Sequence, residues 1–238
     1  MALSNDSSLP LYIQLTNQLR EEIRNGTYKS DQRIPTEQEL CKMYQVSRIT
    51  VRNALDTLAK ERLLVRKQGR GTFVAHEKFK RDITRGSSFT QICLENGQTP
   101  GAKVIKSMIE DATQEDIEEL QLPPDSKVIV LERIRYADGA PVALEISRFP
   151  DRFSFLLSED LNNTSLISIL SEKYGITFGY GAKIIELVFA TYEMAHYLNV
   201  ADGYPLISIS CVSTDMDGLP AHRSLQYVVG DRFKFYIK

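Results

Sequence analysis

No stretch of this chain is apolar over anything near the roughly 20 residues that a membrane-spanning helix needs. The N-terminus, MALSNDSSLP, has no basic region followed by an apolar core, so a secretory signal is not expected. Cysteine is scarce. Cys41, Cys93 and Cys211 are scattered and odd in number, which argues against a disulfide framework and fits reduced thiols in a cytosolic protein. The three histidines, His76, His196 and His222, lie far apart, and neither CxxC nor HExxH occurs, so no metal or other cofactor is expected.

What is present is ordinary in amount and uneven in placement. A chain of 238 residues with a 42% hydrophobic fraction can build a sizeable core, and its length suits two domains better than one. The net charge of −2 hides an asymmetry. Residues 1–85 hold sixteen Lys/Arg against ten Asp/Glu, and residues 86–238 hold thirteen against twenty-one. A basic head suits a polyanion that an acidic body would repel.

Within the head, Leu11, Leu15, Leu19 and Ile23 recur every four residues, which predicts a helix over residues 10–25 that stops at Gly26. Thr36 and Glu39 have the capping-box spacing, so a second helix is expected from Glu37 to Tyr44. Gln45 and Val46 then form a tight turn, and Ser47 caps a third helix reaching about Glu61. On it Val51, Ala54, Leu55 and Leu58 share one arc, while Arg48, Ile49, Arg52 and Asn53 take the other. Two short helices joined by a tight turn, with cationic and amide groups at the start of the second, make a helix-turn-helix whose last helix suits a DNA major groove. Taken alone, the same helix reads equally well as a solvated face with two ordinary arginines. The segment LLVRKQGRGTFVAH shifts that balance. It predicts a strand at 63–66, a Gly-rich basic turn at 67–71 and a strand at 72–75, which is a wing with Gly69, Arg70 and Gly71 at its tip.

The run IPTEQELCKMYQVSRITVRNALDTLAKERLLVRKQGRGTFV resembles the winged-helix head of the GntR family of bacterial transcription regulators. P-T-E before the second helix, V-S-R-x-T-V-R at the third and G-R-G-T-F in the wing carry the likeness. The resemblance implies that Arg48, Thr50 and Arg52 lie at DNA, Thr36 near a phosphate, and Gly69, Arg70 and Gly71 at the wing tip. Gln38 departs from the arginine many relatives carry. Ser47 and Asn53 complete the candidate DNA-binding set. The domain is expected over residues 1–75, followed by a charged linker over residues 76–86 whose positive charge could skim the DNA backbone.

The body, residues 87–238, contains an internal repeat. One copy begins GAKVIKSMIEDATQ at Gly101 and the other GAKIIELVFATYE at Gly181. Each predicts a strand, a short helix capped by Thr113 or Thr191, a strand, a D-G turn (Asp138–Gly139, Asp217–Gly218) and a returning strand. Two copies can complete one sheet with helices packed on it, an α+β domain with a pseudo-two-fold. In VIVLERIRY, Arg133 and Arg135 share one strand face. A three-residue loop with a left-handed Gly139 places Arg133 opposite Glu145; a two-residue turn places it opposite Leu144. The first register makes a site for an anionic, polyhydroxylated ligand. The arginines serve equally as one half of a solvated cross-strand salt bridge. Ser87, Ser88 and Thr90 open a short helix that ends at Gly97 and could cradle an anion or simply cap the helix.

The body resembles the ligand-sensing UTRA domain of the HutC branch, which is similar in fold to chorismate lyase. The F-T-x-x-x-x-x-x-G helix, the E-R-I-R-Y strand, the D-G-x-P-V-A hairpin with Glu145 and the closing Y-x-x-G-D-R-F stretch carry it. The resemblance implies an effector pocket using Ser88, Phe89, Thr90, Arg133, Arg135, Glu145 and Ser165. His222 stands where sugar-phosphate sensors can have an acidic residue and is taken into the candidate pocket. Val228 replaces an aromatic. Tyr227 beside it is a further candidate, although a regular strand would turn it to the opposite face.

The expectation is therefore a cytoplasmic, homodimeric, ligand-responsive transcription regulator that acts as a repressor. Its double-stranded DNA operator would be controlled by a small anionic metabolite, a phosphorylated sugar or amino sugar first. The alternatives are a chorismate-lyase-like enzyme for a small carboxylated substrate, for which no nucleophile–base pair is visible, and an architectural DNA binder with no ligand.

Overall fold

In the N-terminal unit three helices close on one apolar cluster. A computed structural model, which describes residues 8–67, 69–75 and 78–237, separates this unit, Met1–Glu77, from a second, Lys78–Lys238. Helix α1 (Leu11–Arg24) buries Leu15 and Leu19, α2 (Glu37–Tyr44) buries Leu40, and α3 (Arg48–Lys60) buries Val51, Ala54, Leu55 and Leu58. The ends follow from local chemistry. Glu39 and Thr36 cap each other reciprocally, and Gln45 takes the left-handed conformation that ends α2. The Ser47 hydroxyl accepts from the Thr50 amide. Strands β1 (Leu64–Lys67) and β2 (Gly71–Val74) pair antiparallel, one residue displaced from the sequence expectation at either side of the turn, and Leu64 and Val74 join the helical core.

The second unit is built on a six-stranded antiparallel sheet in the order β4-β5-β6-β9-β8-β7. Its strands are β4 (Pro100–Asp111), β5 (Lys127–Ala137), β6 (Ala140–Pro150), β7 (Gly179–Phe189), β8 (Pro205–Thr214) and β9 (Pro220–Val229). The order is the expected duplication made visible: each copy lays down three strands, and the two third strands, β6 and β9, pair at the centre. Helices α5 (Gln114–Glu119) and α7 (Tyr192–Leu198), capped by Thr113 and Thr191, cross over so that α5 packs against β9 and α7 against β6. Both lie on one face. Asp116, fully buried, ties α5 down by accepting from Arg148 at 2.8 Å and Arg223 at 3.2 Å, a pair directly opposite each other on β6 and β9.

The other face is covered by α4 (Phe89–Glu95), α6 (Leu166–Tyr174), a 3-10 turn over Asp151–Ser158, and a two-stranded parallel sheet. The latter overturns one expectation. Residues 76–86 are not simply a linker, because β3 (Phe79–Asp82) pairs with β10 (Phe233–Tyr236), and Phe79 stacks on Phe233 at 4.9 Å. Phe79 and Arg81 point inward while Lys80 points out, so a four-residue strand hides inside the charged segment.

The β5–β6 turn resolves the register question in an unforeseen way. It is a two-residue turn, Asp138 and Gly139 both having positive φ (49° and 79°), and Ala137 pairs with Ala140. A bulge then leaves Val142 unpaired between Pro141 and Ala143, so Arg133 faces Glu145 after all.

Candidate functional site

On the first unit, the third helix carries its polar arc into solvent. Arg48, Arg52 and Asn53 are exposed, as is Ile49 at 63%. Among the described residues Arg48 makes one long 3.4 Å contact, with Glu37, and its side chain stays 80% exposed. Ser47 and Thr50 share a hydroxyl–hydroxyl hydrogen bond at 2.8 Å at the helix start. Thr36 and Gln38, at the start of α2, are exposed too. At the wing, Gly69 and Arg70 are exposed at the tip, and Lys67 lies over the Phe73 ring at 4.9 Å. Gly71 answers to a different demand from close approach by a ligand. A methyl carbon there would fall 2.8 Å from Nε of Arg33, which packs across the wing. Its φ of 115° is also a conformation that side chains resist.

On the second unit, the sheet face opposite α5 and α7 holds a cavity of about 70 Å³. It sits where the two copies meet. Odd-numbered residues of β5 and β6 bring Arg133, Arg135 and Glu145 to this face, and even-numbered residues of β9 bring His222, Ser224 and Gln226. Ser88, Phe89 and Thr90 at the start of α4 and Ser165 at the start of α6 close over them. The expected residues Ser88, Phe89, Thr90, Arg133, Arg135, Glu145, Ser165 and His222 are thus brought together around one space. Tyr227 is not. Strand alternation turns it to the far face, where it packs with Ile134 and Leu144 in the core under α7, and it is removed from the candidate set.

The electrostatics of this space are tightly arranged. Arg133, 2% exposed, donates to Glu145 Oε2 at 2.6 Å and to the Thr164 carbonyl at 3.3 Å. Arg135 donates to the same Oε2 at 3.4 Å and to Thr90 Oγ1 at 3.2 Å, and lies over the Phe89 ring at 4.6 Å. The arginine pairing is therefore buried, and a solvated cross-strand bridge is excluded. The Nε groups of both arginines have no hydrogen-bond partner among the described residues. Burial alone would raise the Glu145 pKa, but the charges of Arg133 and Arg135 and the hydrogen bonds from Arg133 and Gln226 outweigh it and hold the carboxyl at about 2. Burial pulls Arg135 below the ordinary arginine value despite Glu145. His222 stacks on Phe149 at 4.4 Å and sits 3.0 Å from Ser147 Oγ; burial, with Arg133 acting in the same direction, pushes it down to about 4 against the pull of Glu145, so it is neutral at pH 7.

Sequence reasoning missed Arg81, Arg85, Lys183 and Gln226. Arg81 Nη1 donates to Gln226 Oε1 at 2.8 Å, and Gln226 Nε2 donates to Glu145 Oε1 at 3.0 Å, so one amide links a third arginine to the carboxylate. Gln226 could have been found from His222 by the period of two along β9. Lys183 reaches the face through a register shift after Tyr180 on β7, which no alternation rule anticipates. Among the described residues the lining side chains count Arg81, Arg85, Arg133, Arg135 and Lys183 against the one carboxylate of Glu145. Chemically, such a lining is suited to an anion.

Among the described residues no helix is long and apolar enough to cross a membrane. The gntR family of bacterial regulatory proteins matches residues 11–74, and the UTRA domain matches residues 95–234. The HTH-type transcriptional repressor NagR of Bacillus subtilis is 31% identical over 99% of this chain and 97% of its own. The mannosyl-D-glycerate transport/metabolism system repressor MngR of Escherichia coli is 29% identical over 95% of this chain and 94% of its own. The crystal structure of PhnF from Mycobacterium smegmatis superimposes with a TM-score of 0.67 at 24% identity, covering 96% of this chain and 98% of that one, which shows the shared fold. The curated relatives are named as regulators or repressors and not as enzymes, so the lyase alternative is set aside. An exposed cationic helix face on a winged head and a UTRA body, matched over nearly the full length of named repressors, make this chain a non-enzymatic transcription regulator of the GntR family.

Proposed function

We propose that the chain is a cytoplasmic repressor that works as a homodimer and releases its operator when a small anionic metabolite, a phosphorylated sugar or amino sugar, fills the UTRA cavity. The observation that carries the reading is the imbalance at that cavity, five basic side chains against one carboxylate. Guanidinium groups take phosphate bidentately, and Glu145 with the hydroxyls of Ser88, Thr90 and Ser165 can bind hydroxyl or amine groups. The name of MngR, a repressor for a sugar-acid system, is in keeping with an anionic sugar-like effector.

Thr36, Gln38, Ser47, Arg48, Thr50, Arg52 and Asn53 on the helices and Gly69, Arg70 and Gly71 on the wing are the proposed DNA contacts. Two heads then read half-sites about one helical turn, or roughly 34 Å, apart. A second copy has a place to dock. The outer edge of β7 pairs with no strand among the described residues, and Ile184, Leu187 and Phe189 on it are exposed. The effector acts only through unequal affinity for the DNA-competent and incompetent arrangements.

The test pairs two titrations. A thermal-shift screen of sugar phosphates, amino-sugar phosphates and small organic acids should find a ligand that, at one hundred times its dissociation constant, stabilises the fold by about 2.7 kcal/mol. That ligand should release operator DNA, whose affinity should fall steeply with salt. Arg52→Ala should lower the preference for operator over random sequence. A ligand-indifferent operator affinity, or an unchanged preference in Arg52→Ala, refutes the respective half.

A further inference from the structure

Residues 78–88 join the head to the body, and they are also a wall of the cavity. Unit two begins at Lys78, β3 carries Arg81 into the lining, and Arg85, Gly86 and Ser87 follow it there. Arg81 is 8% exposed, yet its hydrogen-bond partner among the described residues is a neutral amide, Gln226. Burial drags its pKa down to about 10, with Glu145 only partly offsetting it. A buried guanidinium without a carboxylate of its own is costly to keep and is a poor structural choice. It is a good choice for meeting an anion that comes and goes.

Within the segment Thr84 N and Oγ1 donate to Asp82 Oδ1 at 3.0 and 2.5 Å and Arg85 Nε lies 3.4 Å from Asp82 Oδ2, and residues 83–86 are tied to the rest of the body largely through side chains. Lys183 Nζ donates to the carbonyls of Ile83 at 2.5 Å and Arg85 at 2.8 Å, and Ile83 N donates to Tyr236 O at 3.2 Å. The Tyr180 ring sits against Gly86, where a methyl carbon would fall 1.9 Å from Tyr180 Cε2. The sheet side of the cavity, in contrast, is fixed by pairing of β5, β6, β9 and β8 along most of their length, broken only locally by bulges. Whole-ligand pockets measure about 300–1,000 Å³, against about 70 Å³ here, so a metabolite enters only if a wall gives way.

We propose that the segment joining the two units is the wall the effector displaces, and that Arg81 within it binds the effector's anionic group. Occupancy is thereby felt in the stretch of chain that leads directly to the DNA-binding head. This rests on the effector reading above and deepens it. The displaced stretch is residues 83–86, which part from Lys183 and Tyr180, while Arg81 turns from Gln226 toward the anion.

The test uses the full chain, with glucosamine 6-phosphate and inorganic pyrophosphate as probes. Calorimetric titration should show Arg81→Met binding at least one of them tenfold to a hundredfold more weakly than the wild type, the worth of one charge-assisted hydrogen bond. The same variant without ligand should unfold at the wild-type temperature or above, because a purely structural arginine would lower it. Hydrogen exchange should speed up at Ile83 and Thr84 in the saturated wild type, with β5 unchanged. Affinity of Arg81→Met within twofold of wild type, a lowered unfolding temperature, or unchanged or slowed exchange at Ile83 and Thr84 would each overturn the proposal while leaving the effector reading intact. If the wild type binds neither probe, both fall. Should Arg81→Met fail to fold, the wild-type exchange measurement decides alone.

Discussion

His222 converts the burial of the cavity floor into a pH dependence that can be measured without knowing the effector. Its ring lies parallel to Phe149 at 4.4 Å and 7°, with Phe178 at 5.6 Å, and it is pushed from an ordinary 6.5 to about 4. A base whose folded pKa lies below its unfolded one takes up its proton first in the unfolded chain. The stability it supports is therefore whole above pH 6.5 and is lost as pH falls from 6.5 towards 4. At about 1.4 kcal/mol per pH unit, the loss reaches about 3 kcal/mol at pH 4, a large share of a typical domain's stability. Glu145 does not blur this window. Its folded pKa of about 2 against an ordinary 4.5 makes its contribution fade only below pH 4.5.

The assay is urea unfolding of the full chain at pH 7 and pH 4.5, comparing wild type with His222→Phe. Phenylalanine keeps the stack and cannot be protonated, and every other titrating group is common to both proteins. The wild type should lose about 2–3 kcal/mol more than the variant across that interval. Parallel losses in the two proteins would mean that His222 is hydrated and free to charge in the native state, and that the cavity floor is not a buried, neutral one.

Three other perturbations reach separate parts of the structure. Leu55→Ala empties the centre of the head core, where the side chain is 1% exposed, and should cost about 2–5 kcal/mol in chemical unfolding followed by circular dichroism. Thr36→Ala removes one side of the α2 capping box and should cost about 1 kcal/mol in the same assay, with Thr36→Ser recovering most of it. Asp116→Ala leaves Arg148 and Arg223 without their shared buried carboxylate and should destabilise the body by about 3 kcal/mol, read as a lowered urea midpoint, while Leu122→Ala nearby should cost less.

The parts of the fold that sequence reached are those where a short-range rule has one outcome. The capping box at Thr36 and the Ser47 cap fix helix starts within a residue, and the arc of Val51, Ala54, Leu55 and Leu58 fixes the buried side of α3. The duplication was legible because both copies repeat the same order of strand, capped helix, strand and D-G turn. Three things were not legible. The pairing of β3 with β10 joins residues some 150 positions apart through four-residue strands, too short for a period of two to stand out, so Phe79 and Arg81 passed for linker. The bulge at Val142 leaves no trace in hydrophobicity, because Val142 and Ala143 are both buried apolar residues. Tyr227 entered the candidate set by proximity to Val228, and the alternation that spoke against it was the better guide.

Both copies carry the bulge, at Val142 in β6 and at Ala221 in β9, so the frame is symmetric and the asymmetry of the pocket comes from the side chains it displays. With Val142 pushed out, β5 and β6 pair so that Arg133 meets Glu145 and Arg135 meets Ala143. The matching pairs in the second copy are Cys211 with Ser224 and Ser213 with His222. The backbone places equivalent positions around one space, and the side chains divide it. The first copy supplies both sheet arginines and the carboxylate, and the second supplies hydroxyls, a thiol, a neutral imidazole, the Gln226 amide and the Lys183 ammonium. Without the bulge Arg133 would face Leu144, whose side chain belongs to the opposite face, and the ion pair that holds Glu145 ionised would not form. The bulge thus sets the register in which Arg133 meets Glu145, and the residue types at matched positions set how charge is divided between the copies. Under the effector reading the ligand's anionic end lies against the two sheet arginines of the first copy and the joining segment, and the hydroxyls and the neutral imidazole of the second copy face its hydrogen-bonding groups.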